Sequence, residues 1–298
     1  MQYERFEFQQ PEWGEVNVLR VGDTLVDTGH VAPVSRDAVR EAVEDGPLAG
    51  VERVLHTHPH IDHVGGSQTV DALAELPHLV PAGAVDLLYG YTDYLRRARE
   101  EMTRLLAGFG ATDSQWDRYF PIESYAEERI EVTRELTDGD TVELGGESLT
   151  VVSTPGHADP HLAFHHEPSG TLFSGDLVDP SGRFQYGPLL GDVGAYVESL
   201  RRVRALDPDV LVPMHGPAMD DPDARIERAL ADVERTVDRL LTHRADGPFL
   251  VREFVVEELG IDDFRVGYVT LTMYEYLRYL ERRGECTVRV ADDGIHVE

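Results

Sequence analysis

Residues 57–63 read Thr-His-Pro-His-Ile-Asp-His, which places three imidazoles and one carboxylate within six positions. These side chains favour solvent or a hydrogen-bonded partner over an apolar core. The motif follows the apolar run 51–55, a predicted buried strand, and precedes 64–67, where a helix could begin. A His-rich polar loop is the alternative interpretation. The length of the motif and its position after a strand favour a metal site.

The spacing within the motif indicates two neighbouring metal ions. In an extended chain His58 and His60 point the same way, whereas Asp62 and His63 fall on the following turn and point elsewhere. Nitrogen and oxygen ligands in this arrangement suit zinc, iron or manganese.

Three more residues of ligand type follow predicted strands. Each of His157, Asp176 and His215 comes a few residues after an apolar run. In layered α/β folds, functional sites gather at strand ends, where loops converge without disturbing the core. Together with the motif, these placements predict a single site.

The pattern His58-x-His60-x-Asp62-His63, followed by His157, Asp176 and His215, resembles the metallo-β-lactamase superfamily. Residues 17–29 also resemble the second and third strands of that family. The resemblance covers about residues 14–217 and implies an α/β fold, a four-layer αββα sandwich with a dinuclear site at one edge. It further implies the following ligands: His58, His60 and His157 for the first metal, Asp62, His63 and His215 for the second, and Asp176 bridging both.

This ligand set predicts hydrolysis. A hydroxide bridging two divalent cations is a nucleophile at neutral pH, and the same cations can polarise a carbonyl oxygen. We expect two divalent metal ions, zinc first, with iron or manganese as alternatives, and we expect Asp62 to be the catalytic carboxylate. Structural metals usually have Cys-rich ligands, and the chain has one cysteine. The predicted substrate is a small thioester, lactone or related ester, as for glyoxalase II and the lactonases.

Other activities are weighed against this one. A metal-dependent endoribonuclease that uses the C-terminal segment for RNA is the main alternative. A flavodiiron-type oxidoreductase is disfavoured, because that branch usually has Glu where this chain has His60. True β-lactamase activity is also disfavoured, because those enzymes typically lack a carboxylate in the bridging position that Asp176 occupies.

The remaining histidines and Asp27 are expected to play supporting or structural roles. His56 is predicted to lie beneath the motif, and Asp27, at a strand end, to hydrogen-bond the ligand loops. His161 could line the pocket. Four others are expected to be solvated: His30, His78, His243 and His296.

The composition gives an independent prediction. There are 56 acidic residues against 27 basic ones, a formal net charge of −29, and every basic residue is Arg. Such a surface repels itself in dilute buffer and is relieved by concentrated salt. We therefore expect a cytoplasmic protein of an extreme halophile, with codon bias in a GC-rich genome as the alternative. No segment has the continuous apolarity of a membrane span or a secretory leader, and Cys286 alone allows no internal disulfide.

The chain is predicted to form two domains. Residues 1–220 form the catalytic domain, with a helical insertion at about 82–130, and residues 221–298 form a small winged-helix domain. The second prediction rests on helical spacing at 224–244, on two further helices expected around 250–259 and 268–283, and on a hairpin around Asp292-Asp-Gly. This segment also resembles the C-terminal domain of some lactamase-like hydrolases, animal endoribonucleases included.

Charge and aromatic content bear on the roles of these segments. Residues 221–298 hold 18 acidic and 11 basic residues, and only Arg278, Arg282 and Arg283 cluster. Nucleic-acid binding is therefore disfavoured without being excluded. Packing or dimerisation is the expected role, and a homodimer is one expected assembly. The insertion could cover the site or form an interface through its aromatic residues: Tyr89, Tyr91, Tyr94, Phe109, Trp116, Tyr119 and Phe120.

Overall fold

Two β-sheets pack face to face in a computed structural model that describes residues 1–11, 14–107, 117, 121, 125–127, 129–263 and 265–298. The first sheet has six strands in chain order: β1 (Glu4–Gln10), β2 (Gly14–Val21), β3 (Thr24–Val26), β4 (Arg53–Leu55), β5 (Pro77–Pro81) and β6 (Glu131–Leu136). The second sheet has five: β7 (Thr141–Leu144), β8 (Glu147–Ser153), β9 (Leu162–His166), β10 (Thr171–Gly175) and β11 (Val210–Pro213). Its spatial order is β11-β10-β9-β8-β7.

The helices lie on the outer faces of the sheets and in the C-terminal segment. Those described are α1 (Pro33–Glu44), α2 (Gly65–Thr69), α3 (Asp71–Ala74), α4 (Val85–Tyr89), α5 (Tyr91–Leu105), α6 (Val193–Ala205), α7 (Pro222–Ala245), α8 (Val251–Glu253) and α9 (Val266–Arg282). A 3₁₀ turn covers Glu167–Ser169, and a π-helical turn, Phe254–Glu258, continues α8. Among the described residues, no helix combines the length and apolar character needed to cross a membrane.

Alternating apolar residues form the core between the sheets. Leu19, Val26 and Leu55 of the first sheet pack against Leu149 and Phe164 of the second. Helices cover the outer face of the first sheet. Apolar side chains on this face form a second cluster with Val39 of α1. Helices α6 and α7 cover the other sheet. This is the predicted four-layer αββα arrangement, and the predicted fold class is confirmed.

Parallel pairing brings the ends of several strands to one edge. Strand β3 pairs in parallel with β4, and β10 with β11. The loops that leave these strands therefore begin at neighbouring positions. The Thr57–His63 motif follows β4, Asp176 follows β10, and His215 follows β11.

The C-terminal segment contains the predicted helices and hairpin. Helix α9 ends before Gly284, whose φ of 74° suits a helix C-terminus. A three-stranded sheet follows the order β12-β14-β13, built from β12 (Phe249–Leu250), β13 (Val288–Ala291) and β14 (Gly294–Val297). Leu271 and Tyr276 of α9 share one apolar cluster with Tyr196 of α6 and Leu172 of β10. A separate winged-helix domain from residue 221 stays a prediction.

The described part of the predicted insertion is helical at α4 and α5. Tyr91 and Tyr94 are buried with Val31 and Val64, close to the motif, so these two aromatic residues belong to the core. Tyr89 is 45% exposed. The other aromatic residues of the insertion lie outside the described residues: Phe109, Trp116, Tyr119 and Phe120.

Candidate metal centre

Asp27 supports the His-rich loop. It follows β3 with a φ of 56° and is fully buried. The backbone N–H of Thr57 donates to its Oδ1 at 2.8 Å, and the Thr57 hydroxyl donates to its Oδ2 at 2.7 Å. His63 Nδ1 donates to Oδ2 at 2.8 Å. Asp27 lies close enough to His58 and His63 to share a cation with them, but its oxygens already accept bonds from the loop, and we assign it the predicted supporting role.

The same bonds determine which nitrogen of His58 and His63 faces the site. The Thr57 hydroxyl gives its proton to Asp27, so it accepts from His58 Nδ1 at 2.8 Å. The Nδ1 of His63 is likewise bound to Asp27. Nε2 of both rings is buried without a hydrogen-bond partner among the described residues. This is how supporting groups orient metal-binding histidines.

His60 and His157 complete the first cluster with His58. His60 Nδ1 lies 2.8 Å from His157 Nε2. The ring of His58 lies 4.6 Å from that of His60 and 5.0 Å from that of His157, centroid to centroid. One nitrogen of each of the three residues falls within 4.8 Å of the others. The structure thus brings together the three residues predicted for the first metal.

Asp62, His63 and His215 form the second cluster, with the same spacing limit of 4.8 Å. Asp62 Oδ1 lies 3.5 Å from His63 Nε2, and Asp62 Oδ2 lies 3.4 Å from His215 Nε2. His215 Nδ1 donates to the carbonyl of Glu15 in β2 at 2.9 Å, so its Nε2 faces the cluster. The Asp62 and His215 side chains are 18% and 19% exposed. The second cluster therefore lies on the solvent side of the site.

Asp176 lies between the two clusters. Its Oδ2 is 3.5 Å from His157 Nε2 in the first cluster. The same oxygen is 3.3 Å from His63 Nε2 and 3.2 Å from His215 Nε2 in the second. All seven predicted site residues are therefore adjacent, with one carboxylate contacting both groups of three.

His161 positions Asp176 through its backbone. The N–H of Asp176 donates to His161 Nε2 at 3.0 Å, and His161 Nδ1 bonds the Thr154 hydroxyl at 2.7 Å. Gly175 has a φ of 56°, and a Cβ there would lie 2.5 Å from His161 Nε2. The sequence suggested His161 only as a pocket residue. Its role as a buried acceptor depends on the approach of β9 to β10, which spacing along the chain does not show.

Burial and the neighbouring charges shift the pKa values of His63 and Asp176 in opposite directions. Burial disfavours the charged form of His63, yet Asp176, Asp62 and Asp27 raise its pKa to about 10. Burial likewise opposes ionisation of Asp176, but His215 and His63 hold its pKa well below the usual range. The second cluster thus attracts positive charge, and a cation can replace the protons there.

In the first cluster the histidine pKa values are lowered, in contrast to that of His63 in the second. Burial, reinforced by neighbouring imidazoles, lowers the pKa of His58 and His60 well below the usual value. Both rings are therefore neutral and carry the lone pair that a metal requires.

Buried polar atoms without partners test whether the residues fit metal ions. Within the part of the chain that the structure describes, these atoms include Nε2 of His58 and His63 and Oδ1 of Asp176. Leaving such groups unpaired costs about 1–3 kcal/mol each. They belong to the two clusters and to Asp176 between them, and this nitrogen and carboxylate donor set fits two divalent cations.

Two histidines that were expected to be solvated are buried, so that prediction is wrong. His78 is bonded to His56 through Nδ1 at 3.1 Å, beneath the motif as predicted for His56. His30 accepts the N–H of Ala32 at Nδ1, and burial lowers its pKa to about 4. His78 has its partner just after β4, and His30 has its partner two residues further along its own loop. These hydrogen bonds make burial of a neutral imidazole tolerable.

Comparison with known proteins agrees with this geometry. The model of the metallo-beta-lactamase superfamily matches residues 12–215. A "probable metallo-hydrolase YqjP" of Bacillus subtilis is 30% identical over 233 residues, covering 72% of this chain and 71% of that protein. An "atrochrysone carboxyl ACP thioesterase" of Aspergillus chevalieri is 27% identical over 202 residues, which is 68% of this chain and 50% of that protein. The crystal structure of a metallo-beta-lactamase family protein from Thermus thermophilus matches with a TM-score of 0.76 and 21% identity, over 99% of this chain and 97% of that one.

The chain therefore belongs to the metallo-beta-lactamase superfamily. It is an enzyme, a hydrolase of that superfamily. The chain spans only half the length of the Aspergillus thioesterase.

Proposed function

We propose that this enzyme hydrolyses a small carbonyl substrate, a thioester, lactone or related ester, at a dinuclear metal centre. The observation that carries the proposal is the position of Asp176, whose Oδ2 lies within 3.5 Å of a histidine nitrogen in each cluster. The residues proposed to hold the metals are His58, His60 and His157 in one cluster, Asp62, His63 and His215 in the other, and Asp176 in both. The imidazole and carboxylate donors favour zinc, and iron and manganese are the alternatives for the same donors.

Two divalent cations held there would lower the pKa of a water molecule and polarise the carbonyl oxygen of the substrate. The protein would supply orientation and proton transfer. Asp62 lies on the solvent side and is proposed to accept the proton of the attacking water at a carboxylate oxygen. Asp27 and His161 hold His63 and Asp176 in place.

The carbonyl substrate is preferred over RNA because of the C-terminal charges. In the structure each arginine of the predicted basic cluster faces a carboxylate. Arg282 pairs with Asp192 at 2.8 Å, Arg283 with Glu285 at 2.6 Å, and Arg278 lies 4.0 Å from Glu275. Cations that are already paired contribute little to phosphate binding. The thioesterase among the relatives, by its name, acts on an acyl carrier protein thioester, which supports the carbonyl class.

A substrate panel tests this function. We expect the purified enzyme in molar KCl to turn over acyl thioesters or lactones and to leave phosphodiesters and an RNA oligonucleotide uncleaved. The control is a triple variant of the full chain, Arg278→Ala, Arg282→Ala and Arg283→Ala, which should keep the carbonyl activity. If the enzyme instead cleaves only RNA, and the triple variant loses this cleavage, the result would support the endoribonuclease.

We also propose that the enzyme works in a cytoplasm that holds concentrated salt. The net charge of −29 and the complete use of Arg as the basic residue support this proposal. At about 1 M salt the screening length falls to roughly 3 Å, so repulsion between surface carboxylates is largely removed. The alternative, GC-driven codon bias, explains the arginines without predicting any dependence on salt.

The melting temperature should therefore rise with KCl. Thermal unfolding followed by circular dichroism from about 0.1 M to about 3 M KCl should show a steady increase, because screening relieves repulsion in the folded state. Sorbitol at matched osmolality serves as the control and should have a smaller effect. A melting temperature that falls throughout the KCl series would refute the salt adaptation.

A further inference from the structure

The turn formed by residues 187–191 lies directly against the candidate metal centre. A Cβ at Gly187 would lie 2.0 Å from the carbonyl oxygen of His157 and 3.0 Å from His60 Nε2. Only glycine can bring the backbone this close to the two histidines. The N–H groups of Leu190 and Gly191 donate to the Gly187 carbonyl at 3.0 and 2.9 Å, which closes the turn.

Two neighbouring helices hold this turn in place. The hydroxyl of Tyr94 in α5 donates to the carbonyl of Pro188 at 3.3 Å. On the other side, Glu275 of α9 is only 3% exposed, and its Cγ lies 3.6 Å from the point where a Cβ of Gly191 would be. The turn thus lies beside the metal centre and contacts both the insertion and the C-terminal segment.

Leu189 occupies the centre of the turn in an unfavourable conformation. Its φ is 66°, in the left-handed region that leucine rarely adopts. Among the described residues, the other non-glycine positions with positive φ are Asp27 and Asp207. Asp27 supports the ligand His63, so two of these three strained positions lie at the metal centre. Strain of this kind is retained where function requires it.

The Leu189 side chain is also exposed and apolar. It is 44% exposed, and the other large apolar residues exposed in the described part of the chain are Val34 and Tyr89. The neighbouring Leu190 and the motif residue Ile61 both pack against the apolar cluster that contains Tyr91 and Tyr94. The turn and the motif therefore share one apolar cluster, although the protein as a whole is strongly acidic. Substrate sites typically combine such apolar walls with a few polar groups.

We propose that Leu189 contacts the acyl chain of the substrate and makes the enzyme prefer longer, apolar acyl groups over acetyl. This inference rests on the proposed carbonyl hydrolysis. Leu189 is exposed in its left-handed conformation, and it lies two residues after Gly187, which approaches His60 and His157. Leu189 is in this sense a specificity-determining residue, and the metal ligands remain responsible for the chemistry.

The test compares kcat/KM for acetyl, butanoyl, hexanoyl and octanoyl thioesters of one thiol. Leu189→Gly keeps the backbone conformation and removes the side chain. It should lower the octanoyl-to-acetyl ratio of kcat/KM by about tenfold, as losses of apolar contact in enzyme pockets do. Leu189→Met, which keeps an apolar side chain of similar length, should restore most of the ratio. The melting temperature of Leu189→Gly should stay close to that of the wild type, because glycine adopts positive φ without strain.

Asp207→Gly is the matched control, because Asp207 also has a positive φ. It precedes β11, whereas His215 follows the other end of that strand. It should leave the ratio unchanged. An unchanged octanoyl-to-acetyl ratio in Leu189→Gly, or an equal loss on every substrate, would overturn the assignment of Leu189.

A second readout separates failure of this inference from failure of the proposed function. Binding of octanoate and of acetate to the purified enzyme is measured by isothermal titration calorimetry, which needs no turnover. If the wild type hydrolyses none of the thioesters and no lactone or ester of the substrate panel, the proposed function fails. The ratio of octanoate to acetate affinity still decides on Leu189: a drop in Leu189→Gly supports the contact, and no change refutes it.

Discussion

Replacing Asp176 with asparagine is expected to abolish hydrolysis while leaving the fold intact. The Oδ2 atom of Asp176 contacts both His157 and His215, and an amide lacks the negative charge that two cations sharing this side chain require. We expect kcat/KM to fall by about a thousandfold or more. Loss of a supporting group outside the ligand set already costs about 10- to 100-fold in metal-dependent sites.

Steady-state kinetics and circular dichroism check this prediction together. The backbone N–H of Asp176 still reaches His161 in the variant, so the loop should keep its position. Asp37→Asn, on the exposed side of α1, is the matched control and should be fully active. Near-normal turnover of Asp176→Asn would exclude the bridging role.

The second large effect is expected for Asp27→Asn. Asp27 accepts bonds from the backbone and hydroxyl of Thr57 and from His63 Nδ1. An asparagine at this position presents one amide group that cannot accept, so at least one buried donor loses its partner, at a cost of about 1–3 kcal/mol. His63 also loses the carboxylate that orients it. Metal affinity should therefore fall by about 10- to 100-fold, with a lower melting temperature.

Competition with a chromogenic chelator measures this affinity. Asp23→Asn is the control. Asp23 is a half-exposed carboxylate that pairs with Arg53, and it precedes β3, the strand that Asp27 follows. Its metal affinity should match that of the wild type. If Asp27→Asn binds metal as tightly as the wild type, the support assigned to Asp27 is wrong.

The candidate site could be predicted from the sequence because its ligands lie in short, unusual patterns. Three histidines and one aspartate in one heptapeptide are rarely structural, and each remaining predicted ligand follows an apolar run that formed a strand. The wrong predictions concern residues without such a pattern. His78 lies within the strand Pro77–Pro81 and is buried with His56, yet a lone histidine carries no sign of its partner.

Contacts between distant segments were the part that the sequence did not show. A helix was predicted at about 268–283, but the sequence did not show that Tyr276 of α9 would share a core with Tyr196 of α6. The approach of Gly187 to His60 and His157 is likewise a property of the folded chain. Periodicity identifies a buried face, whereas the surface that covers it depends on how the layers stack.

Elemental analysis of the purified enzyme tests the central claim most directly. Protein prepared without chelators in molar KCl, and dialysed against metal-free buffer, should contain about two transition-metal ions per chain, because two clusters of metal-binding side chains lie on either side of Asp176. Asp176→Asn should contain fewer. A wild-type preparation that is active and reproducibly free of metal would contradict the dinuclear centre.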